Sequence, residues 1–170
     1  MTSLALRIRP YAAADEEAVV QLFRSNLAPY FVPAEEADLR AFLRGEVGTD
    51  GLPYFVAELP GGPGLVAAGG YALNDPHAVL TWGMVERRLH GQGLGRTFTE
   101  FRIRACQLAY PGRGIEIRTS QHTEGFYARL GFGTLTTEPD KWAPGLHEVH
   151  MLLPAAAGAA ESAAAGKFAP

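Results

Sequence analysis

A single cysteine, Cys106, occurs in the 170-residue chain, so no disulfide can close within it. It is expected as a small buried side chain. No stretch reaches the roughly 18 apolar residues that a membrane span requires. Met1 to Arg9 contains no long apolar run, so a secretory signal is not expected. An excess of one charge is also missing. The chain has 15 basic and 18 acidic residues, for a net charge of −3. That balance gives no general attraction to nucleic acid or to an anionic membrane. Neither is expected as a partner, no metal site is expected, and a cytoplasmic protein is the simplest reading. Apolar material is plentiful: 47% of residues are hydrophobic and only 19% charged, enough for a core and too little charge for a disordered chain.

The length suggests one domain with a tail. Ala5 to Arg9 alternates as a first strand. Asp15 offers an N-cap to a helix carrying Ala18, Val19, Leu22 and Phe23 at helical spacing, with Glu16 and Glu17 in its first turn. Pro33 suits the first turn of a second helix, held to the core by Leu39, Phe42 and Leu43. Gly45 to Pro53 reads as a loop. Tyr54 to Leu59 and Leu65 to Leu73 form a hairpin across the turn Pro60-Gly61-Gly62-Pro63-Gly64, and Ala78 to Val85 is an apolar buried strand. From Gly93 the period lengthens. Leu94, Phe98, Phe101, Ala105 and Leu108 make one helical stripe, with Glu100 and Arg104 paired on the polar side. Ile115 to Thr119 is a strand and Gln121 to Leu130 a short helix ended by Gly131. Gly133 to Thr137 and Glu148 to Leu152 are the last strands. Strands and helices mixed in this order predict a layered α/β (α+β) domain over residues 1–153. Residues 154–170 are an alanine-rich tail, expected to be mobile, with a docked helix left open.

The most informative stretch is Met84-Val85-Glu86-Arg87-Arg88-Leu89-His90-Gly91-Gln92-Gly93-Leu94-Gly95-Arg96. A buried strand runs into alternating glycines, and an amphipathic helix begins there. Glycines let an anion approach the backbone closely, and a helix start offers free N–H groups and the positive end of its dipole. This is the pattern of a phosphate cradle, to which Arg87, Arg88 and Arg96 would add charge. A dinucleotide loop should follow the first strand of a βαβ repeat, whereas this one follows the fourth. A nucleoside triphosphate loop needs Lys-Ser or Lys-Thr after its last glycine, where this chain has Arg96-Thr97. A glycine-rich turn without a ligand and a nucleotide-binding domain remain the competing readings of this stretch.

His90-Gly91-Gln92-Gly93-Leu94-Gly95 resembles motif A of the GNAT acyltransferase superfamily, whose Gln/Arg-x-x-Gly-x-Gly/Ala pattern lands on His90, Gly93 and Gly95. His90 stands in place of the usual Gln or Arg, and a histidine still has a backbone amide to donate. Thr119 to Phe132 resembles motif B, with its Phe-Tyr-x-x-x-Gly-Phe core at Phe126, Tyr127, Gly131 and Phe132. The resemblance covers roughly Ala5 to Leu153 and is specific from Ala78 to Phe132.

It implies a mixed, mostly antiparallel sheet of about seven strands flanked by about four helices, with strands four and five splayed. It implies acetyl-CoA as cosubstrate and a small-molecule or peptide amine as acceptor, attacked directly in a ternary complex. It leaves a homodimer open. Met84 and Val85 would flank the pantetheine arm. His90, Gly91, Gln92, Gly93, Leu94, Gly95 and Arg96 would surround the pyrophosphate. Ser120, where the family often has Asn, and Tyr127 would be further cofactor contacts. Tyr127 is the candidate general acid, since a phenol with a pKa near ~10 is protonated at neutral pH and can supply the thiolate's proton. Phe126 and Leu130 fill the inward spacing of that helix, which sets Tyr127 toward a rim. No acid lies between Ala78 and Val85 to serve as base, so His122, and less so His77, are candidates. Tyr30, Phe31, Trp82, Trp142 and His147 are candidates for the acceptor wall, with Glu35, Glu36 and Asp38 as acids that could attract an amine. A non-catalytic acyl-CoA-binding module would share the same motifs.

Overall fold

Two periodicities, near two and near 3.6, build the elements of this computed structural model, which describes residues 5–156. The strands are β1 (Arg7–Pro10), β2 (Tyr54–Glu58), β3 (Leu65–Asn74), β4 (His77–Val85), β5 (Ile115–Thr119), β6 (Gly133–Ala143) and β7 (Leu146–Leu153). The helices are α1 (Glu16–Ser25), α2 (Glu35–Phe42), α3 (Leu94–Ala109) and α4 (Glu124–Ala128). The strands form one sheet in the order β1-β2-β3-β4-β5-β7-β6. Every neighbouring pair is antiparallel except β4–β5, which is parallel. The expected mixed, mostly antiparallel fold is thus observed. The alanine-rich tail lies outside the described residues from 157 onward.

Each face of the sheet carries its own core. Val19, Val20 and Phe23 of α1 and Leu39 and Phe42 of α2 pack on Val56, Ala68 and Met84. On the opposite face Cys106 of α3 and Tyr127 of α4 meet Tyr71, Ala78, Leu80, Ile117 and Val149. Phe98 of α3 covers Ala57 and Ala67. Small strand residues bring the helix close, and full burial of a side chain such as Phe98 contributes about 2–3 kcal/mol by area alone.

The structure corrects several local expectations. The stripe of α3 runs at steps of four through Leu94, Phe98, Arg102 and Cys106, all buried, while Leu108 is 80% exposed. A row of i,i+4 residues drifts about 40° round the helix at each step, so by the last turn the buried face has moved away from Leu108. Glu100 pairs with Arg96, one turn earlier, at 2.8 Å. Asp15 precedes α1, but its side chain accepts no capping hydrogen bond from it. It ends a 3-10 turn (Ala13–Asp15), so its carboxylate folds back to accept from the Ala12 amide and from both terminal nitrogens of Arg9. Pro33 lies two residues before α2, and a single π-helical turn (Leu43–Val47) occupies part of the expected Gly45–Pro53 loop. α4 is shorter than expected and β6 longer. Tyr127, not Phe126 or Leu130, is the buried residue of α4, at 7% exposure.

Candidate active site

The site begins with a defect in β4. Ala68 pairs with Met84, but Gly70 pairs with Thr81, so Gly69 alone faces both Trp82 and Gly83. This is a β-bulge, an extra residue that bends its strand. Trp82 takes the strain at φ +37°. On the other side β4 meets β5 only at Ala78–Ile115 and Val79–Glu116. Beyond that the strands part, as expected, and Leu80 to Val85 line one wall of a cavity of about 800 Å3 while Ile117 to Ser120 line the other. That volume suits a sizeable ligand. Thr81 Oγ1, in this wall, is buried and has no hydrogen-bond partner among the described residues.

The mouth of the gap is the start of α3. Gly91 and Gly93 hold φ of +79° and +84°, a region L side chains enter only with strain. Among the described residues no backbone N–H from Gly91 to Arg96 finds a protein acceptor; the first to do so is Thr97, on Gly93. Such unsatisfied donors at the positive end of a 16-residue helix form an anion site. Gly91, Gly93, Gly95 and Arg96 line the cavity; Leu94 instead turns inward and is buried.

Three details differ from expectation. The His90 amide does not belong to the free run, because it donates to the Arg87 carbonyl, while the His90 ring sits 2.9 Å from the Val85 carbonyl. That carbonyl also accepts from Asn26 Nδ2 at 2.8 Å, so it is already doubly engaged. The arginines are spoken for as well. Arg87 donates to the Ala28 carbonyl and lies over the Tyr30 ring, Arg88 pairs with Glu86, and Arg96 with Glu100. The cradle is therefore chiefly backbone.

At the inner end of the gap stands Tyr127, its phenol pushed above the ordinary range by burial and partly brought back by the nearby Arg102 charge. Ser120 is buried in the same wall. His122, Tyr30, Phe31, Trp82 and Trp142 all line the cavity, with Tyr30 in edge contact with both His90 and His122. Phe31 stacks on Trp82, and the Trp142 indole donates to the Thr119 carbonyl. His147 lies apart from the cavity, its ring accepting from the Asp140 amide. His77 stands at the far end of β4, opposite Asn74, away from the gap. Of the acids, Glu35 lines the cavity, whereas Glu36 is paired with Arg24 and Arg40. Burial raises the Glu35 carboxyl above the usual carboxylate range, although the Val32 amide donates to it.

Sequence reasoning missed Arg102 and Asn26. Arg102 falls on the apolar stripe of α3 at the step after Phe98, and only that spacing could have betrayed it. Nothing local marks Asn26, whose partner lies 59 residues away.

A sheet parted beside a parallel pair, with an amide cradle at the mouth and a buried phenol within, defines an acyltransferase. Residues 65–154 match the family model described as Acetyltransferase (GNAT) domain, and the chain belongs to that family. Solved structures agree in fold. An E. coli ribosomal-protein-S18-alanine N-acetyltransferase superposes with a TM-score of 0.72 at 19% identity, covering 91% of this chain and 97% of that one. A protein from Desulfovibrio desulfuricans described as an acetyltransferase of the GNAT family gives 0.75 at 19%, covering 89% and 100%. A Brucella melitensis ribosomal-protein-alanine N-acetyltransferase gives 0.67 at 18%, covering 86% and 98%. No curated protein matches the sequence.

Proposed function

We propose that the protein transfers the acetyl group of acetyl-CoA to a primary amine, small-molecule or peptide, by direct attack in a ternary complex. The observation that carries this reading is the run of acceptor-free amides from Gly91 to Arg96 at the mouth of the parted strands. Those amides suit a pyrophosphate. The walls from Leu80 to Met84 and from Ile117 to Ser120 suit a narrow polar arm, and the free Thr81 hydroxyl has a partner to gain there. Acetyl-CoA supplies the thioester and a thiolate leaving group.

Tyr127 is the acid in this reading, giving its phenolic proton to the departing sulfur. Glu35 takes the proton that the attacking nitrogen loses. It lines the same cavity, and its raised carboxyl is a stronger base than an exposed glutamate. His122 is the second candidate for that task. Phe31, Trp82, Tyr30 and Trp142 wall the acceptor side. Cys106 is fully buried with its thiol pushed up to about 11, so it offers no nucleophile for an acyl-enzyme and direct transfer is favoured. A non-catalytic acyl-CoA-binding module would have no use for a phenol at the inner end of the gap.

Calorimetry with acetyl-CoA, with ATP and NAD as controls, tests the cradle. A panel of amines read by release of free thiol tests the transfer. Binding of acetyl-CoA alone, followed by amine-dependent thiol release, is expected. A folded protein that binds no acetyl-CoA ends the proposal.

A further inference from the structure

Among the described residues Arg102 is the largest fully buried side chain, at 1% exposure, and it lines the cavity. It rises from α3 into the β4 bulge. Its Nε and Nη2 donate to the Gly70 carbonyl at 3.2 and 3.0 Å, and Nη2 donates to the Thr81 carbonyl at 2.9 Å. The backbone makes room for it. A Cβ on Gly69 would fall 2.8 Å from the guanidinium carbon, and one on Gly83 would fall 2.2 Å from Nη1. The Phe98 ring lies 5.8 Å away, beneath the charge.

Nη1, over Gly83, is the terminal nitrogen that neither carbonyl takes, and the Tyr127 hydroxyl is the side-chain hydrogen-bonding group that bears on the guanidinium. Among the described residues no carboxylate pairs with the charge: the ionisable groups that bear on it are Tyr127 on α4, Tyr54 on β2 and Cys106 on α3. A buried charge without a counter-ion is costly. Tyr54 is already committed, its hydroxyl donating to the Trp82 carbonyl at 3.0 Å. Cys106 faces the core. Tyr127 is left as the group that can become an anion in contact with the cavity.

We propose that Arg102 is the positioning and electrostatic partner of Tyr127, plugging the β4 bulge and stabilising the phenolate left when Tyr127 gives up its proton. The proposal rests on the reading of Tyr127 as the acid. The amine nitrogen bonds to the thioester carbon, the C–S bond breaks with its electron pair on sulfur, and the phenolic proton moves to sulfur. Phenolate and guanidinium then stand as an ion pair in a low-dielectric site, where such attraction is strong. Solvent returns the proton to Tyr127, and the proton lost from nitrogen leaves through the base. The same guanidinium braces the two carbonyls flanking the bulge, so one side chain shapes the gap and charges it.

The test compares Arg102→Lys, which keeps the charge, with Arg102→Gln, which keeps an N–H donor for the Gly70 and Thr81 carbonyls without the charge, each alone and with Tyr127→Phe. Thermal melts and acetyl-CoA calorimetry monitor folding and binding. Arg102→Gln is expected to lower kcat tenfold or more with little change in acetyl-CoA affinity, and Arg102→Lys to recover most of it. In the Tyr127→Phe background the two variants should turn over alike. Absorbance at 295 nm, with Tyr127→Phe as the blank, should show the Tyr127 transition at higher pH in Arg102→Gln than in Arg102→Lys. Equal kcat for Lys and Gln, the same loss in both backgrounds, or an unmoved 295 nm transition would overturn the inference. Wild-type turnover by Tyr127→Phe itself would instead remove the acid reading beneath it.

Discussion

Glu35 should set the acid limb of the pH profile. Burial raises its carboxyl, and a base works only when deprotonated, so kcat/KM should fall as pH drops through a value above the ordinary carboxylate range. Glu35→Gln is expected to lower kcat/KM by about a hundredfold and abolish that limb. A limb that survives in Glu35→Gln and disappears in His122→Ala would move the task to His122. Asp15 acts in the opposite sense and on stability. Arg9 holds its carboxyl below the usual range through two hydrogen bonds of 2.7 and 2.9 Å. Its contribution is therefore full above the unfolded carboxylate value and is lost as pH falls through the lowered folded one. Asp15→Asn should cost about 1 kcal/mol in urea unfolding at pH 7, and the difference from wild type should vanish in strong acid.

Within the elements, the start of α3 is where backbone geometry carries the chemistry. Gly93→Ala forces a Cβ into φ +84° at a cost of about 1 kcal/mol. It should weaken acetyl-CoA binding in calorimetry more than it lowers the melting temperature. The acceptor-free amides from Gly91 to Arg96 should exchange rapidly in the free protein and slow on addition of acetyl-CoA, as read by hydrogen-exchange mass spectrometry. Unchanged exchange at these positions with saturating cosubstrate would move the pyrophosphate elsewhere. Farther along the helix, Phe98→Ala should destabilise by about 3–4 kcal/mol, while Leu108→Lys should be nearly neutral because Leu108 is 80% exposed. That contrast also shows what local pattern can reveal. Strands announced themselves by alternation and the cradle by glycine spacing before a helix, both properties of adjacent residues. Spacings of three and four both look helical, so the stripe of α3 was readable only to within the width that separates Leu108 from Arg102. Tyr127 was legible as a motif residue, but its burial was not, because that depends on how α4 sits over β5 and β7.

For the molecule as a whole, ligand binding should register as global stability. At about a hundred times Kd, acetyl-CoA should add roughly 2.7 kcal/mol, raising the melting temperature of a domain this size by about 5–10 °C. ATP at the same concentration should not. The mixed, mostly antiparallel sheet and the parting of β4 from β5 followed from family resemblance; composition and periodicity alone do not specify which strands pair. The least legible features join distant parts of the chain: Asn26 to Val85, Arg102 to Gly70, and Glu35 turned into the cavity. Each depends on tertiary placement, and only Arg102 leaves a mark among its sequence neighbours, its spacing after Phe98 on the apolar stripe of α3.

The bulge has a last consequence, one of parity. Ahead of it the even-numbered residues Ala78 and Leu80 look toward α3, but after it the even-numbered Trp82 and Met84 look toward α1 and α2, and the odd-numbered Gly83 and Val85 take the α3 side. The strand changes phase by half a pleat in its middle. Pairing β4 without the bulge, at unchanged length, would restore a regular alternation, and every side chain beyond that point would trade faces. Met84 would be driven under Phe98, and the carbonyls that now receive Arg102 would return to the ladder. The second half of β4 therefore keeps its faces only while the extra residue is accommodated as a bulge, and a one-residue insertion should be far less tolerable here than in the Pro60–Gly64 turn.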